Sequence, residues 1–452
     1  MKTEKNSDSK NSSTTPPEKE PVVFNPAHIY YSTEGGCYYI DTGVIFRSYS
    51  RKPPVIAGIT RFLKASGVYS DDIKPLLDEH IDTIEIDRAV DWQGKLAGAK
   101  RGIKEYRGRR FLITEGPNVP VSKPGQFPYI SSIIRQAFPD EDSRLAFCAW
   151  LRDGVRAINT GIHQPAPMVV LAGKRKSGKS LLAFITTQLF GGRSSNPMTA
   201  WSGSLPWNDN LLAAELLLID DAAASTDPRA RKAFGSRFKE SIYAANVEIN
   251  TRRQTSISMR PVWRVMVCCN ETPENLSVIP PLEDGIEDKI MLLKVSTVTP
   301  PMPACTPEER DDFAAALTAE LPAFMHFLEN LKLPEHLIDS RSGVIALKDP
   351  ELLDAVTDIS PEKRLENLLH LSITQDFMGL DVGESRWMTA VEVQGKLQDR
   401  DTPTSYQASS LLKFDANAGR YLASLVKSDS PFVTASKITN GIRRYQITRP
   451  AE

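Results

Sequence analysis

The sequence predicts an α/β protein organised around a parallel sheet, and three stretches carry that prediction. Five apolar residues, 168–172, run straight into Gly173-Lys174-Arg175-Lys176-Ser177-Gly178-Lys179-Ser180, and an apolar helical segment follows over 181–190. A second apolar run, Leu216-Leu217-Leu218-Ile219, ends in Asp220-Asp221. A third, 262–269, ends on Asn270. Short continuous apolar runs bounded by polar residues are the pattern of strands buried on both faces.

The first stretch has the order that phosphate binding requires: strand, Gly-x-x-x-x-Gly-Lys-Ser, helix. Gly173 and Gly178 let the backbone curl so that successive N–H groups face phosphate oxygens. The N-terminus of the following helix adds its positive dipole end. Residues 173–180 are therefore expected to cradle a nucleotide. Lys179 would reach the β- and γ-phosphates, and the Ser180 hydroxyl would ligate Mg²⁺. The insert Lys174-Arg175-Lys176 either adds charge around the phosphates or is simply solvated. Asp220 would hold the Mg²⁺ water shell, Asp221 would polarise the attacking water, and Asn270 would orient that water and sense the γ-phosphate. ATP and Mg²⁺ are the expected ligands.

Composition bounds the rest. At 452 residues the chain exceeds one hydrophobic core, so two to four domains are expected. The apolar fraction of 41% and charged fraction of 25% are those of a globular protein. A net charge of −1 leaves any nucleic-acid contact to local patches. The five cysteines have no paired C-x-x-C spacing and read as free thiols in a reducing compartment. No apolar run is long enough to cross a bilayer. A polar N-terminus without a secretory core adds to a cytoplasmic expectation.

In chain order, residues 1–21 are too polar to bury a core and read as a disordered tail. Residues 22–115 read as a small α+β domain. Strands are expected at 38–40, 43–46 and 81–86, with helical periods over 59–77. Its densest basic run is Lys95, Lys100, Arg101, Lys104, Arg107, Arg109 and Arg110, with Trp92 and Tyr106 interleaved. Such a run suits a phosphate backbone with an aromatic stacked on a base, or a solvated turn. After a Pro/Gly-rich linker, two amphipathic helices near 129–138 and 141–158 make a helical collar over 116–165. In the second, Leu145, Cys148, Ala149, Leu151 and Val155 share a face.

The nucleotide domain spans 166–300. Asp227-Pro228 starts a helix to about 244, carrying Lys239. Residues 246–261 alternate around Thr251-Arg252-Arg253-Gln254, a hairpin with a basic tip, and a strand near 290–295 closes the domain. Helices near 308–331, 349–356 and 361–374 form a helical layer over 301–383. The last segment, 384–452, reads as three helices followed by two strands around Asn440-Gly441, the outline of a winged helix. Its third helix and wing offer Arg420, Lys427, Lys437, Arg443 and Arg444 to DNA phosphates.

Taken in order, Gly173–Ser180, the Asp220-Asp221 strand, the helix and basic hairpin with Lys239, Arg252 and Arg253, and Asn270 resemble superfamily 3 helicases. Within these the chain looks most like the primase-helicases of viruses, phages and mobile elements. The resemblance is specific over 167–295 and architectural elsewhere. It implies a P-loop AAA+-type ATPase core between the N-terminal mixed α/β and collar domains and a C-terminal winged helix. It also implies a hexameric ring, ATP hydrolysis at subunit interfaces and 3′-to-5′ movement on a single DNA strand in the channel. A primase or polymerase partner is implied too, and no membrane. One departure stands out. The family's trans-acting arginine shortly after the sensor asparagine is missing, and Lys289 lies nearest its place, with Arg264 and Arg260 as other candidates. Lysine lacks the bidentate fork of arginine and clamps transferring phosphate less well. Two functions follow: an ATP-dependent replicative DNA helicase, or an ATP-regulated origin-binding or loading protein that does not unwind processively.

Overall fold

The computed structural model describes residues 23–202, 207–220, 228–251, 256–280, 282, 285–413 and 415–451. The expected tail at 1–21, the carboxylate Asp221 and the hairpin-tip residues Arg252 and Arg253 lie outside the described residues. The chain divides into two compact units, Met1–Lys95 with Lys100–Glu115, and Leu96–Ala99 with Gly116–Glu452.

The first unit is a small α+β layer. Strands β1 (Ile29–Ser32), β2 (Cys37–Asp41) and β3 (Phe46–Tyr49) form an antiparallel meander that packs on helices α1 (Lys52–Ala65) and α2 (Ser70–Asp82). Strand β4 (Ala89–Val90) adds in parallel to β1. A second sheet, order β5-β7-β6, comprises β5 (Trp92–Gly94), β6 (Gly102–Tyr106) and β7 (Arg109–Ile113). The strand expected at 81–86 is instead the end of α2 and a wide helical turn, Thr83–Asp87. Ile81 and Ile84 are both buried while Ile86 is 72% exposed, a helical spacing of three that β-branching had masked. The strand expected at 43–46 starts only at Phe46. Gly43 turns with a φ of +86°, leaving Val44 and Ile45 on the surface.

The basic run falls on β6, β7 and their flanks, and it is largely neutralised within the unit. Arg101 pairs with Asp41, Lys95 with Glu115 at 2.7 Å, and Arg109 and Arg110 each lie 3.9 Å from a glutamate. Trp92 cannot stack on a base, because it is 3% exposed and packs 5.7 Å from the Phe111 ring.

In the second unit, α3 (Pro128–Ala137) and α4 (Glu141–Thr160) precede a five-stranded parallel sheet. Its elements run β8 (Met168–Ala172), α5 (Lys179–Leu189), β9 (Ser194–Ser195), α6 (Met198–Trp201), β10 (Leu216–Asp220) and α7 (Pro228–Tyr243). An antiparallel hairpin follows, β11 (Val247–Ile249) and β12 (Ile257–Met259), then β13 (Arg264–Cys269), α8 (Pro273–Leu276) and β14 (Ile290–Lys294). The sheet order β14-β8-β13-β10-β9 places β13 at the centre, with β8 beside it. Every residue of β8 and β13 is buried, which is why both read as unbroken apolar runs.

The long helix α9 (Pro307–Glu329) opens on a capping box between Thr306 and Glu309. Helices α3, α4, α5 and α9 share one apolar core with the sheet. The helices expected at 116–165 and the first helix of 301–383 are thus packed into the nucleotide domain. Leu145 lies at the margin of that core, whereas Phe147 and Trp150 are fully buried in it.

One carboxylate holds the helices in register. Glu320 on α9 is 9% exposed and accepts from Tyr129 N at 3.0 Å and Ile130 N at 2.8 Å, capping the first turn of α3. Glu320→Ala strands two buried N–H donors at a positive helix end. The expected cost is about 2–4 kcal/mol in urea unfolding, with roughly half recovered by Glu320→Gln, which keeps one acceptor.

Helices α10 (Pro350–Asp358) and α11 (Pro361–Thr374) lead to the C-terminal segment: β15 (Ser385–Thr389), α12 (Ala390–Gln398), α13 (Ser405–Leu411), α14 (Asp415–Lys427), β16 (Val433–Thr439) and β17 (Ile442–Thr448). Its three-stranded antiparallel sheet has the order β15-β17-β16. Helix α11 belongs to this core through Leu365, Leu369 and Ile373. Among the described residues no helix is long and apolar enough to cross a membrane.

Candidate functional site

Parallel pairing brings the carboxyl ends of the central strands to one edge. Cys269 pairs with Ala172, Lys294 with Ala172, and Asp220 with Cys268. Gly173 and Asn270 therefore leave the sheet at one level, although about a hundred residues of sequence separate them, and Asp220 ends its strand two residues short of that level on the same edge. Strand β8 is followed by a crossover to the far edge at β9, while β14 returns on its other side. The loop after β8 thus occupies the switch point where open α/β sheets bind ligands.

The loop itself is tightly constrained. A Cβ on Gly173 would lie 2.4 Å from the Val295 carbonyl oxygen, so only glycine fits there. Gly178 has a φ of +99° and caps α5, with Val298 packed against it. Lys176 takes a left-handed φ of +63°, which a non-glycine residue adopts at a cost of order 1 kcal/mol. Val298 N donates to Ser177 O at 3.2 Å and Val295 N to Ala172 O at 2.7 Å, so the chain after β14 braces the loop.

Lys179 is 8% exposed, and its ammonium faces four oxygens. Nζ donates to Gly173 O at 3.0 Å, Lys174 O at 2.8 Å, Ser177 Oγ at 3.3 Å and Asn270 Oδ1 at 3.3 Å. Three donors shared among four acceptors leave the ammonium at the loop's centre with charge to offer an incoming anion. Asn270 thereby touches the lysine directly, because β13 lies between the loop strand and the Asp220 strand.

A pocket of about 670 Å³ opens from the loop, lined by Arg175, Lys176, Ser177, Gly178, Lys179, Ser180, Asp220 and Asn270 on its polar side. Ser180 and Asp220 are both exposed there. Phe184, Val298, Pro300, Ala304, Phe313, Ala314 and Leu317 make the other side apolar. Gly173 and Lys174 contribute carbonyls to the lysine, and the Lys174 side chain is exposed. Cations and hydroxyls together with apolar and aromatic side chains in one pocket are the lining that suits a nucleotide, whose phosphates are anionic and whose base is apolar and flat.

Arg310 and Phe313, on the first turns of α9, escaped the sequence reading. Their place in the pocket depends on α9 folding back onto α5 across more than a hundred residues, which no local pattern encodes. Arg310 is an exposed cation at the mouth, with Nη1 3.5 Å from Cys305 O. Arg310→Ala is expected to raise the KM for nucleotide roughly tenfold in a phosphate-release assay, the scale of one charge-assisted contact.

The remaining predicted residues among those described lie away from the pocket. Lys289 Nζ donates to Asp288 Oδ1 at 2.8 Å and sits 4.9 Å from the Tyr243 ring centroid, so its charge is already engaged. Arg264, offered as a substitute arginine, cannot reach a neighbouring subunit. It is 3% exposed at the opposite, N-terminal end of β13, donating to Gln164 O at 3.0 Å. Burial pulls this guanidinium down to about 10, opposed by Asp153, so it stays charged at neutral pH. Arg260 is exposed beside β12. Lys239 is half-buried on α7, near Gly285. Arg443 and Arg444 are on β17 near the turn of the C-terminal ribbon, Arg443 exposed and Arg444 partly so. The described residues contain no cluster of three or more His, Cys, Asp or Glu side chains that could hold a metal.

No protein-family model and no curated protein matches this sequence. Among solved structures, the apo C-terminal region of NrS-1 is 14% identical with a TM-score of 0.49, over 93% of this chain and 96% of that one. A structure described as the active helicase Cch of SCCmec type IV is 9% identical with a TM-score of 0.40, over 93% of this chain and 92% of that one. Likeness at these levels leaves the functional reading to the pocket itself.

Proposed function

We propose that this chain is an ATP-dependent DNA helicase of a virus, phage or mobile element, with a superfamily 3, AAA+-type core. The observation that carries the proposal is the convergence of Lys179, Asn270 and Asp220 on one pocket at the carboxyl edge of a parallel sheet. In this reading Lys179 neutralises charge on the β- and γ-phosphates. Asn270, already 3.3 Å from the lysine, orients the attacking water, and Asp221 polarises it. The Ser180 hydroxyl and Asp220 carboxylate are hard oxygen donors at that pocket and suit Mg²⁺, which keeps several of its waters. When bound, the ion neutralises phosphate charge. The chain would act as a ring, a hexamer by its resemblance. Its hairpin, with Lys239, Arg252 and Arg253, would face a single strand in the channel, and the C-terminal winged helix would contact duplex. The test is strand separation by the purified chain with ATP. Unwinding that survives Lys179→Ala would remove the assignment.

A second reading, ATP-regulated origin binding or loading without processive unwinding, is favoured by one observation. Lys289 is tied to Asp288, and Arg264 is buried, so neither is placed as a free clamp for a neighbour's phosphate. Tight ATP binding with DNA-independent, slow hydrolysis and no unwinding would select it.

A further inference from the structure

Helix α9 turns one stripe toward the nucleotide pocket. Arg310, Phe313, Ala314 and Leu317 all line it, at the i, i+3, i+4, i+7 spacing of a single helix face. Phe313 and Leu317 are buried in the apolar core, whereas Arg310, at the outer end of the stripe, is exposed. The backbone there is braced. The Glu309 carboxylate accepts from Cys305 N at 2.8 Å and Thr306 N at 3.1 Å, closing the capping box one residue before the arginine. The Arg310 side chain is held far less. Its guanidinium makes one weak contact, Nη1 at 3.5 Å from Cys305 O, and pairs with no carboxylate among the described residues. A fork of five donors thus stands at the mouth, in the same chain as Lys179 but on a different element from the phosphate loop. The stretch Glu271–Val295, where a neighbour's arginine would be sought, contains none.

We propose that Arg310 supplies, within its own subunit, the guanidinium that stabilises phosphoryl transfer, so that hydrolysis needs no residue from a neighbour. The proposal rests on the reading of this chain as an ATPase. In the step concerned, the water oxygen bonds to the γ-phosphorus while the bond to the β,γ-bridging oxygen breaks and leaves its electron pair on ADP. One water proton stays on the new hydroxyl and the other passes to a phosphate oxygen, giving ADP and inorganic phosphate. Negative charge grows on the bridging oxygen as that bond breaks. Lys179 is a point charge already shared among four oxygens, and Arg175 and Lys176 belong to the loop itself. A planar fork from a second element can hold two phosphate oxygens at once, which an ammonium cannot. Arginine in this role accelerates phosphoryl transfer by about 10³–10⁵, whether it comes from the same chain or from another.

Phosphate release by the full chain is measured over a dilution series, with assembly followed by light scattering. Turnover per subunit is expected to stay constant as assemblies dissociate. Arg310→Ala should lower kcat at least about a hundredfold, in addition to the rise in KM, and Arg310→Lys should recover only a small part of it. Binding of a fluorescent, non-hydrolysable ATP analogue, read by anisotropy, should weaken only about tenfold in Arg310→Ala. The melting temperature should not move, because the side chain is exposed. Mixing reads the source of the arginine. Lys179→Ala subunits keep Arg310, and Arg310→Ala subunits keep the loop lysine. Equal parts of the two, mixed while dilute and then concentrated with ATP, are expected to hydrolyse no faster than the sum of the separate proteins. Recovery on mixing would place the arginine in trans and overturn the proposal. Turnover that vanishes on dilution, or an Arg310→Ala kcat equal to the parent's, also overturns it while leaving the ATPase reading intact. A parent that hydrolyses no ATP at any concentration defeats the ATPase reading itself, and this proposal with it.

Discussion

Lys179→Ala is expected to lower ATP turnover by at least about a thousandfold while barely changing stability. Its ammonium is held by two loop carbonyls, Ser177 Oγ and Asn270 Oδ1, beside a pocket open to solvent. Water can replace it at those oxygens, so the folded state loses little. The transition state loses the only buried cation among the described residues lining the pocket, because Arg175, Lys176 and Arg310 are exposed. Lys179→Arg is expected to fare almost as badly. A planar fork cannot occupy the point where four acceptors converge on one nitrogen. Phosphate release and thermal denaturation, run in parallel on both variants, check this. A melting temperature several degrees lower would make inactivity structural, and undiminished release would take Lys179 out of the chemistry.

The strands that present this site were legible for a simple reason. β8, β10, β13 and β14 are covered by helices on both faces or by neighbouring strands, so selection for burial writes an unbroken apolar run in each. The loop was legible because Gly173 and Gly178 answer local demands, a close carbonyl and a positive φ. Elements with weaker burial were not. β15 has the sequence Ser-Arg-Trp-Met-Thr, in which only Met388 is buried, so its place in the C-terminal sheet comes from pairing with β17. β9 is two residues long. Ile81 and Ile84 carry strand-type side chains on a helical spacing, and tertiary burial against the β1–β2 sheet overrode the propensity. Arg310 and Phe313 were invisible as site residues because their role is created by a long-range packing of α9 on α5.

Trp150 on α4 lies in the same apolar core, and Trp150→Ala is expected to cost about 3–5 kcal/mol. The indole is fully buried, with Phe147 stacked at 6.3 Å and Phe190 at 5.9 Å. Its Nε1 donates to Pro167 O at 2.8 Å, one residue before β8. Truncation therefore opens a cavity between α4 and α5 and orphans a buried carbonyl at the root of the phosphate-loop strand. For a core of this size the melting transition should fall by roughly 10 °C in calorimetry. Trp150→Phe separates the two contributions. It fills most of the volume and loses only the hydrogen bond, so it should cost about 1–2 kcal/mol. Equal losses in the two variants would mean that the Pro167 contact, not packing, anchors β8. A nucleotide that binds only the folded site should restore part of the loss in both variants, by an increment set by its concentration relative to Kd. That increment should vanish when Lys179→Ala is added. The coupling would tie a residue of the helical core, through β8, to the ammonium at the centre of the loop.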